Sequence, residues 1–271
     1  MPKLAVAQLN CVVGDVGANV AKMVDLIAEA RGQSADLVCF PECATTGLVY
    51  DGMADLAEPV PGPSSAGLCA AAAEASIWVV AGMATRSGDD VYNSALVISP
   101  TGDLAAVYHK CYLYMSEADS FARGRRACVQ DLGFATAGIC ICYDYIFPEY
   151  MRDLVTRGAR LLIHPTAWID SDTCREWGYP AGDALRAQAV TRALENGVYF
   201  ISANHCGTYD SGGFLQGVGR SAIIAPWGEV LAELPDEEGV VSAEVNFDLI
   251  PKWAETAAPY LSDHLDLPRP E

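Results

Sequence analysis

A chain of 271 residues with 51% hydrophobic and only 19% charged residues can bury a substantial core, which excludes extended disorder. Its formal net charge of −18 disfavours nucleic acid and anionic membrane as partners. No apolar run is long enough to span a bilayer, and Met1-Pro2-Lys3 opens straight into a strand-like segment instead of a signal peptide, so the expected location is cytoplasmic.

Taken in chain order, Lys3 to Leu9 predicts a buried first strand, and Gly14 to Asn19 a loop. From Val20 to Arg31 apolar residues recur at helical spacing, with Gly32 as the stop. Ala35 to Phe40 predicts a second strand that runs into Pro41-Glu42. A Pro-Gly-Ser loop (Pro59 to Ser65) leads into an alanine-rich helix ending at Ala75, and Ile77 to Gly82 predicts a strand. Tyr92 to Ser99 and Leu104 to His109 pair as a hairpin around Pro100-Thr101-Gly102. The short apolar run from Gly138 ends at Cys142, and a helix opens after Pro148. Arg160 to His164, Val198 to Ala203 and Gly239 to Val245 predict further strands, Asp183 to Asn196 a helix, and Gly219 to Ala232 a second hairpin. Without repeats, linkers or charge blocks, the expected architecture is one α/β domain over residues 1–271, with mixed sheets between outer helices.

Three polar residues stand where predicted strands end: Glu42, Lys110 and Cys142. Strand ends gather at one edge of a layered α/β fold, which is where sites are built. Each has an ordinary reading too: a free cysteine is often only a small buried hydrophobe, Lys110 a solvated hairpin end, Glu42 a helix-capping acid. Together they suggest a specific chemistry. Cys142 would attack an electrophilic carbon, Glu42 would take the thiol proton and later activate water, and Lys110 would neutralise the developing oxyanion. A cysteine–histidine pair stays open as the other hydrolase reading, although nothing singles out His109, His164, His205 or His264. None of the ten cysteines forms a Cys-x-x-Cys pair, so reduced thiols are expected in preference to disulfides or a zinc site.

Phe40-Pro41-Glu42 with Thr46-Gly47, Tyr108-His109-Lys110 with Leu113, and Cys142-Tyr143-Asp144 with Phe147-Pro148-Glu149 resemble the three catalytic motifs of the nitrilase superfamily, the carbon–nitrogen hydrolases. The resemblance covers almost the whole chain and includes Gln8, Asn19, Phe121, Gly124, His164-Pro165, Trp168, Arg192, Asn204 and Gly219-Arg220-Ser221. It implies a four-layer α-β-β-α sandwich, no metal or organic cofactor, and association into a homodimer or larger oligomer. It casts Glu42 as general base, Lys110 as oxyanion-stabilising lysine, Cys142 as nucleophile and Glu117 as the glutamate that positions the lysine. The backbone N–H of Tyr143 would be the second oxyanion donor, and Trp168 would face the substrate. Tyr143, Tyr145, Trp168 and Trp177 are candidates for the acyl pocket, whereas Arg152 reads more readily as a structural cation than as a carboxylate anchor. Cys111 and Tyr112 depart from the commonest second motif, and the tail from Tyr260 to Glu271 is short. The expected reaction is hydrolysis of a small amide through a thioester, with nitriles and N-carbamoyl compounds as the alternative substrates.

Overall fold

The computed structural model describes residues 1–49, 51–258 and 260. One sheet runs in the order β16 (Gly239–Glu244), β1 (Lys3–Gln8), β2 (Leu37–Cys39), β4 (Trp78–Ser87), β5 (Asp90–Ile98) and β6 (Leu104–His109), with β3 (Glu58–Pro59) added to β4. The other runs β15 (Val230–Glu233), β14 (Ala222–Ile224), β11 (Tyr199–Ala203), β9 (Leu161–Pro165), β8 (Thr136–Ile139) and β7 (Cys128–Asp131). A small third sheet joins β10 (Ile169–Asp170), β13 (Gln216–Val218) and β12 (Cys206–Thr208).

Strand alternation decides the layers. Ala5 and Ala7 of β1 bury against α1 (Val16–Gly32) and α3 (Pro63–Ala75), where Met23, Ile27, Leu68 and Ala72 meet them. Leu4 and Val6, one residue out of phase, join Leu37, Cys39 and Val80 in the core shared with the second sheet. That sheet buries its other face under α4 (Pro148–Thr156) and α6 (Ala181–Asn196) through Met151, Leu154, Leu185 and Ala189. The result is the four-layer α-β-β-α sandwich. Short helices α2 (Met53–Leu56), α5 (Asp172–Glu176) and α7 (Leu249–Thr256) lie outside this frame.

Because both faces of the central strands are covered, they read as continuous apolar runs, as parallel strands do. β1, β2 and β4 are parallel, as are β8, β9 and β11. β6 runs with β4, since each is antiparallel to β5 between them. The C-terminal ends of β2 and β6 therefore share one edge of the first sheet, and those of β8, β9 and β11 share one edge of the second. All ten cysteines are free, and among the described residues no helix is long and apolar enough to cross a membrane.

Candidate active site

Glu42, Lys110 and Cys142 meet at that common edge. Glu42 leaves β2 after Pro41, and its backbone lies against Gly82 of β4, where a Cβ would stand 2.1 Å from the Pro41 carbonyl oxygen. Only glycine allows that approach. The carboxylate is buried and fully engaged. Its Oε1 accepts from Lys110 Nζ at 2.6 Å and from Asn93 Nδ2 at 2.7 Å, and its Oε2 accepts from the Ala167 N–H at 3.0 Å. The last bond ties the first sheet to the loop that follows β9 in the second.

Lys110 follows β6, and its backbone is pinned on both sides: its N–H donates to the Asn93 carbonyl and its carbonyl accepts from the Gly124 N–H, both at 2.8 Å. Gly124 is pressed so closely against His109 that a side chain there would strike the His109 carbonyl. Beyond Glu42, the ammonium donates to both oxygens of Glu117 at 2.8 Å. Glu117 sits in a 3-10 turn (Met115–Asp119) and is held by the Tyr114 N–H at 2.6 Å and by Asn93 at 3.3 Å. Asn93 was not expected from the sequence; it lies in β5 beside Ser94, and its place follows from the register that sets β5 between β4 and β6.

Cys142 sits three residues past the end of β8, at φ +42°, and begins a 3-10 turn that leads into α4. A non-glycine residue in that region costs about 1–3 kcal/mol and persists only when its surroundings fix it. They do. Asp144 Oδ2 accepts from the Ile141 N–H at 2.8 Å and the Tyr108 hydroxyl at 2.7 Å, while its Oδ1 accepts from the Tyr112 N–H at 2.8 Å. Arg192, from α6, donates to the carbonyls of Tyr145 and Ile146 at 2.6 and 2.9 Å. This strained corner resembles the nucleophile elbows of other hydrolases. The thiol stands beside the Glu42 carboxylate and the Thr166 hydroxyl, which has no other hydrogen-bond partner among the described residues. Thr166 was not foreseen, because its place follows from the register that sets β9 beside β8.

The electrostatics follow from burial and three charges. Burial opposes ionisation of Glu42, but Lys110 and the hydrogen bonds from Lys110 and Asn93 outweigh it and hold the carboxyl below its usual value. Burial also works against the Lys110 cation, yet the surrounding carboxylates keep it charged, well above the usual lysine value. Desolvation raises Glu117. It also pushes the Cys142 thiol well up, with the neighbouring Glu42 charge adding to it. The resting arrangement is thus a neutral thiol beside an ionised carboxylate and an ammonium. Such a set can remove a thiol proton as the sulfur attacks, and can neutralise an oxyanion at Lys110 Nζ. Tyr143 N–H, among the first of its turn, has no carbonyl of that turn to pair with.

No histidine among the described residues is placed to act as the base. His164 Nε2 lies 3.1 Å from the Cys142 carbonyl, which can only accept, so that nitrogen carries the proton and Nδ1 accepts from Ser202 at 3.0 Å. Burial lowers the His164 pKa to about 4, so the ring is neutral. His205 is committed to backbone carbonyls of Glu42 and Leu9, and His109 stacks on Tyr92 and bonds Ser94. His264 lies outside the described residues.

A cavity of about 310 Å³ opens at Cys142. Tyr143, Trp168 and Trp177 line it, as expected. Tyr145 does not: it is fully buried, stacked on His164 at 4.3 Å between ring centroids. Arg152 is not at the site either; its guanidinium donates to the Glu195 carbonyl. No group of three His, Cys, Asp or Glu side chains among the described residues could hold a metal ion.

The carbon-nitrogen hydrolase profile matches residues 3–255. A Pyrococcus abyssi protein named nitrilase is 34% identical over 256 residues, covering 92% of each chain. A 2-oxoglutaramate amidase of Bacillus subtilis is 30% identical, covering 88% of each. Among solved structures, a glutamate-to-glutamine mutant of the amidase from Nesterenkonia sp. AN1 superposes with a TM-score of 0.80 at 27% identity, over 97% of this chain and 93% of that one. It carries the acetamide moiety of fluoroacetamide on its active-site cysteine.

Proposed function

The chain belongs to the carbon–nitrogen hydrolase family, and we propose that it is an amidase that hydrolyses a small amide through a thioester on Cys142. One observation carries this reading: a buried thiol stands beside a carboxylate that is itself 2.6 Å from a buried ammonium.

In the first half-reaction Cys142 Sγ attacks the amide carbon while Glu42 takes the thiol proton. Lys110 Nζ and the Tyr143 N–H hold the tetrahedral oxyanion. Collapse breaks the C–N bond, the proton on Glu42 passes to nitrogen, and ammonia leaves. Water then attacks the thioester, giving a proton to Glu42, which returns it to sulfur as the carboxylic acid departs. Glu117 keeps the Lys110 ammonium aimed at the reacting carbon. A nitrile, the second reading, would enter the same site, and the name of the Pyrococcus abyssi relative supports it. The same reading makes residues 1–271 one catalytic domain, acting in the cytoplasm as a homodimer or larger assembly without a cofactor.

The test is ammonia release from acetamide, propionitrile and N-carbamoyl-alanine by wild type, Glu42→Gln and Cys142→Ala. Acetamide should be the substrate that releases ammonia. Loss of general-base assistance should lower the Glu42→Gln rate about 10²–10⁴-fold. A Glu42→Gln enzyme within tenfold of wild type would overturn the assignment of the base.

A further inference from the structure

We propose that the cavity at Cys142 is an acyl-binding pocket that selects amides with an uncharged, apolar acyl group and rejects those ending in a carboxylate. The inference rests on the amidase reading and adds the substrate class.

The lining carries it. Apart from Cys142 the walls are built chiefly from aromatic and aliphatic side chains: Tyr114, Tyr143, Ile146, Trp168, Trp177 and Tyr179, with no charged residue among them. Tyr143 is fixed edge-on against Tyr114 at 5.0 Å and Phe147 at 5.3 Å, so this wall is a preformed aromatic surface. Cations close to the pocket in sequence or space are already committed. Lys110 is held between Glu42 and Glu117, Arg175 pairs with Asp170 and Asp172, and Arg192 is bound to the turn carbonyls and Glu195. A carboxylate carried into this space would lose its hydration and gain no counter-charge, which a buried ion does not tolerate. An apolar chain or ring meets the opposite situation.

The exposure of Trp177 supplies a second observation. It is 80% exposed at the rim, directly after the five-residue helix α5. An indole left in water beside an apolar cavity gains most by closing over an apolar ligand. Trp177 is therefore a specificity-determining residue whose weight grows with the length of the acyl group.

The experiment compares kcat/KM for acetamide, pentanamide and glutaramate, in which a carboxylate replaces the terminal methyl of pentanamide. Wild type should prefer pentanamide to glutaramate by about 100-fold or more. Trp177→Ala should lower kcat/KM for pentanamide about tenfold, through KM, and lower that for acetamide by a much smaller factor. Its exposed position makes that variant safe for folding. Equal or better turnover of glutaramate, with acetamide hydrolysed, overturns the inference and leaves the amidase reading standing. Turnover of none of the three, with no adduct on Cys142, overturns both.

Discussion

Replacing Lys110 by methionine tests the electrostatic frame of the site. The substitution keeps an unbranched side chain one atom shorter and removes an ammonium with no exposed side-chain surface, whose contacts to Glu42 and Glu117 are 2.6 and 2.8 Å. Two carboxylates, 2% and 14% exposed, then face each other with Asn93, the Cys142 thiol and backbone N–H groups as their remaining partners. Breaking a buried ion pair by removing one partner costs about 3–5 kcal/mol, which for a chain of this size lowers Tm by on the order of 10 °C. The cost should depend on pH in a defined direction. With Lys110 present, Glu42 is held below its usual pKa; without it, burial alone acts on both acids and raises them above their unfolded value. Between that unfolded value, roughly 4.3, and the raised one, the folded variant binds more protons than its unfolded chain, so its stability rises as pH falls. The Tm deficit of Lys110→Met should therefore be larger at pH 7 than at pH 5, read by calorimetry at both. A deficit that is absent at pH 7, or equal at the two pH values, refutes the argument. Activity should fall at least 10²–10³-fold in the same protein, the usual loss for one oxyanion donor.

Two further outcomes follow from the geometry. Asp144→Asn turns one acceptor oxygen into an N–H₂ facing a backbone or hydroxyl donor, so it should cost about 1–3 kcal/mol in urea unfolding and slow alkylation of Cys142. A variant as stable and reactive as wild type would remove Asp144 from the account of the strained corner. Gly82→Ala would bring a Cβ to 2.1 Å from the Pro41 oxygen and 2.6 Å from Glu42 Cα, so Glu42 must move. A shift of about 1 Å costs on the order of 100-fold in rate, and kcat/KM should fall by about that much in a protein that still melts cooperatively. Unchanged kcat/KM would mean that the loop position does not set the carboxylate.

How much of this was legible in the sequence varied with its physical origin. Glu42 and Cys142 stood out because each follows a strand buried on both faces, where a charge or a thiol is conspicuous, and Lys110 because it follows the apolar run of the edge strand β6. The covered strands were legible for the same reason. Boundaries moved where side chains cap or turns intervene. The first helix begins at Val16, not Val20, because Asp15 accepts the Ala18 N–H at 3.0 Å. β8 ends at Ile139, and a 3-10 turn separates Cys142 from the helix predicted to follow it. The third sheet was not legible, since strands of two or three residues carry no periodicity. α7 was masked by Pro251, which its first turn tolerates. Asn93, Thr166 and Gly82 stayed hidden because their roles come from strand register and close approach, which no local pattern encodes.

The most direct test is intact-mass spectrometry during turnover of acetamide by wild type and Cys142→Ala. The account predicts an acyl adduct on wild type, absent from the variant, that decays as acetate and ammonia appear. Ammonia release by Cys142→Ala at the wild-type rate would contradict it.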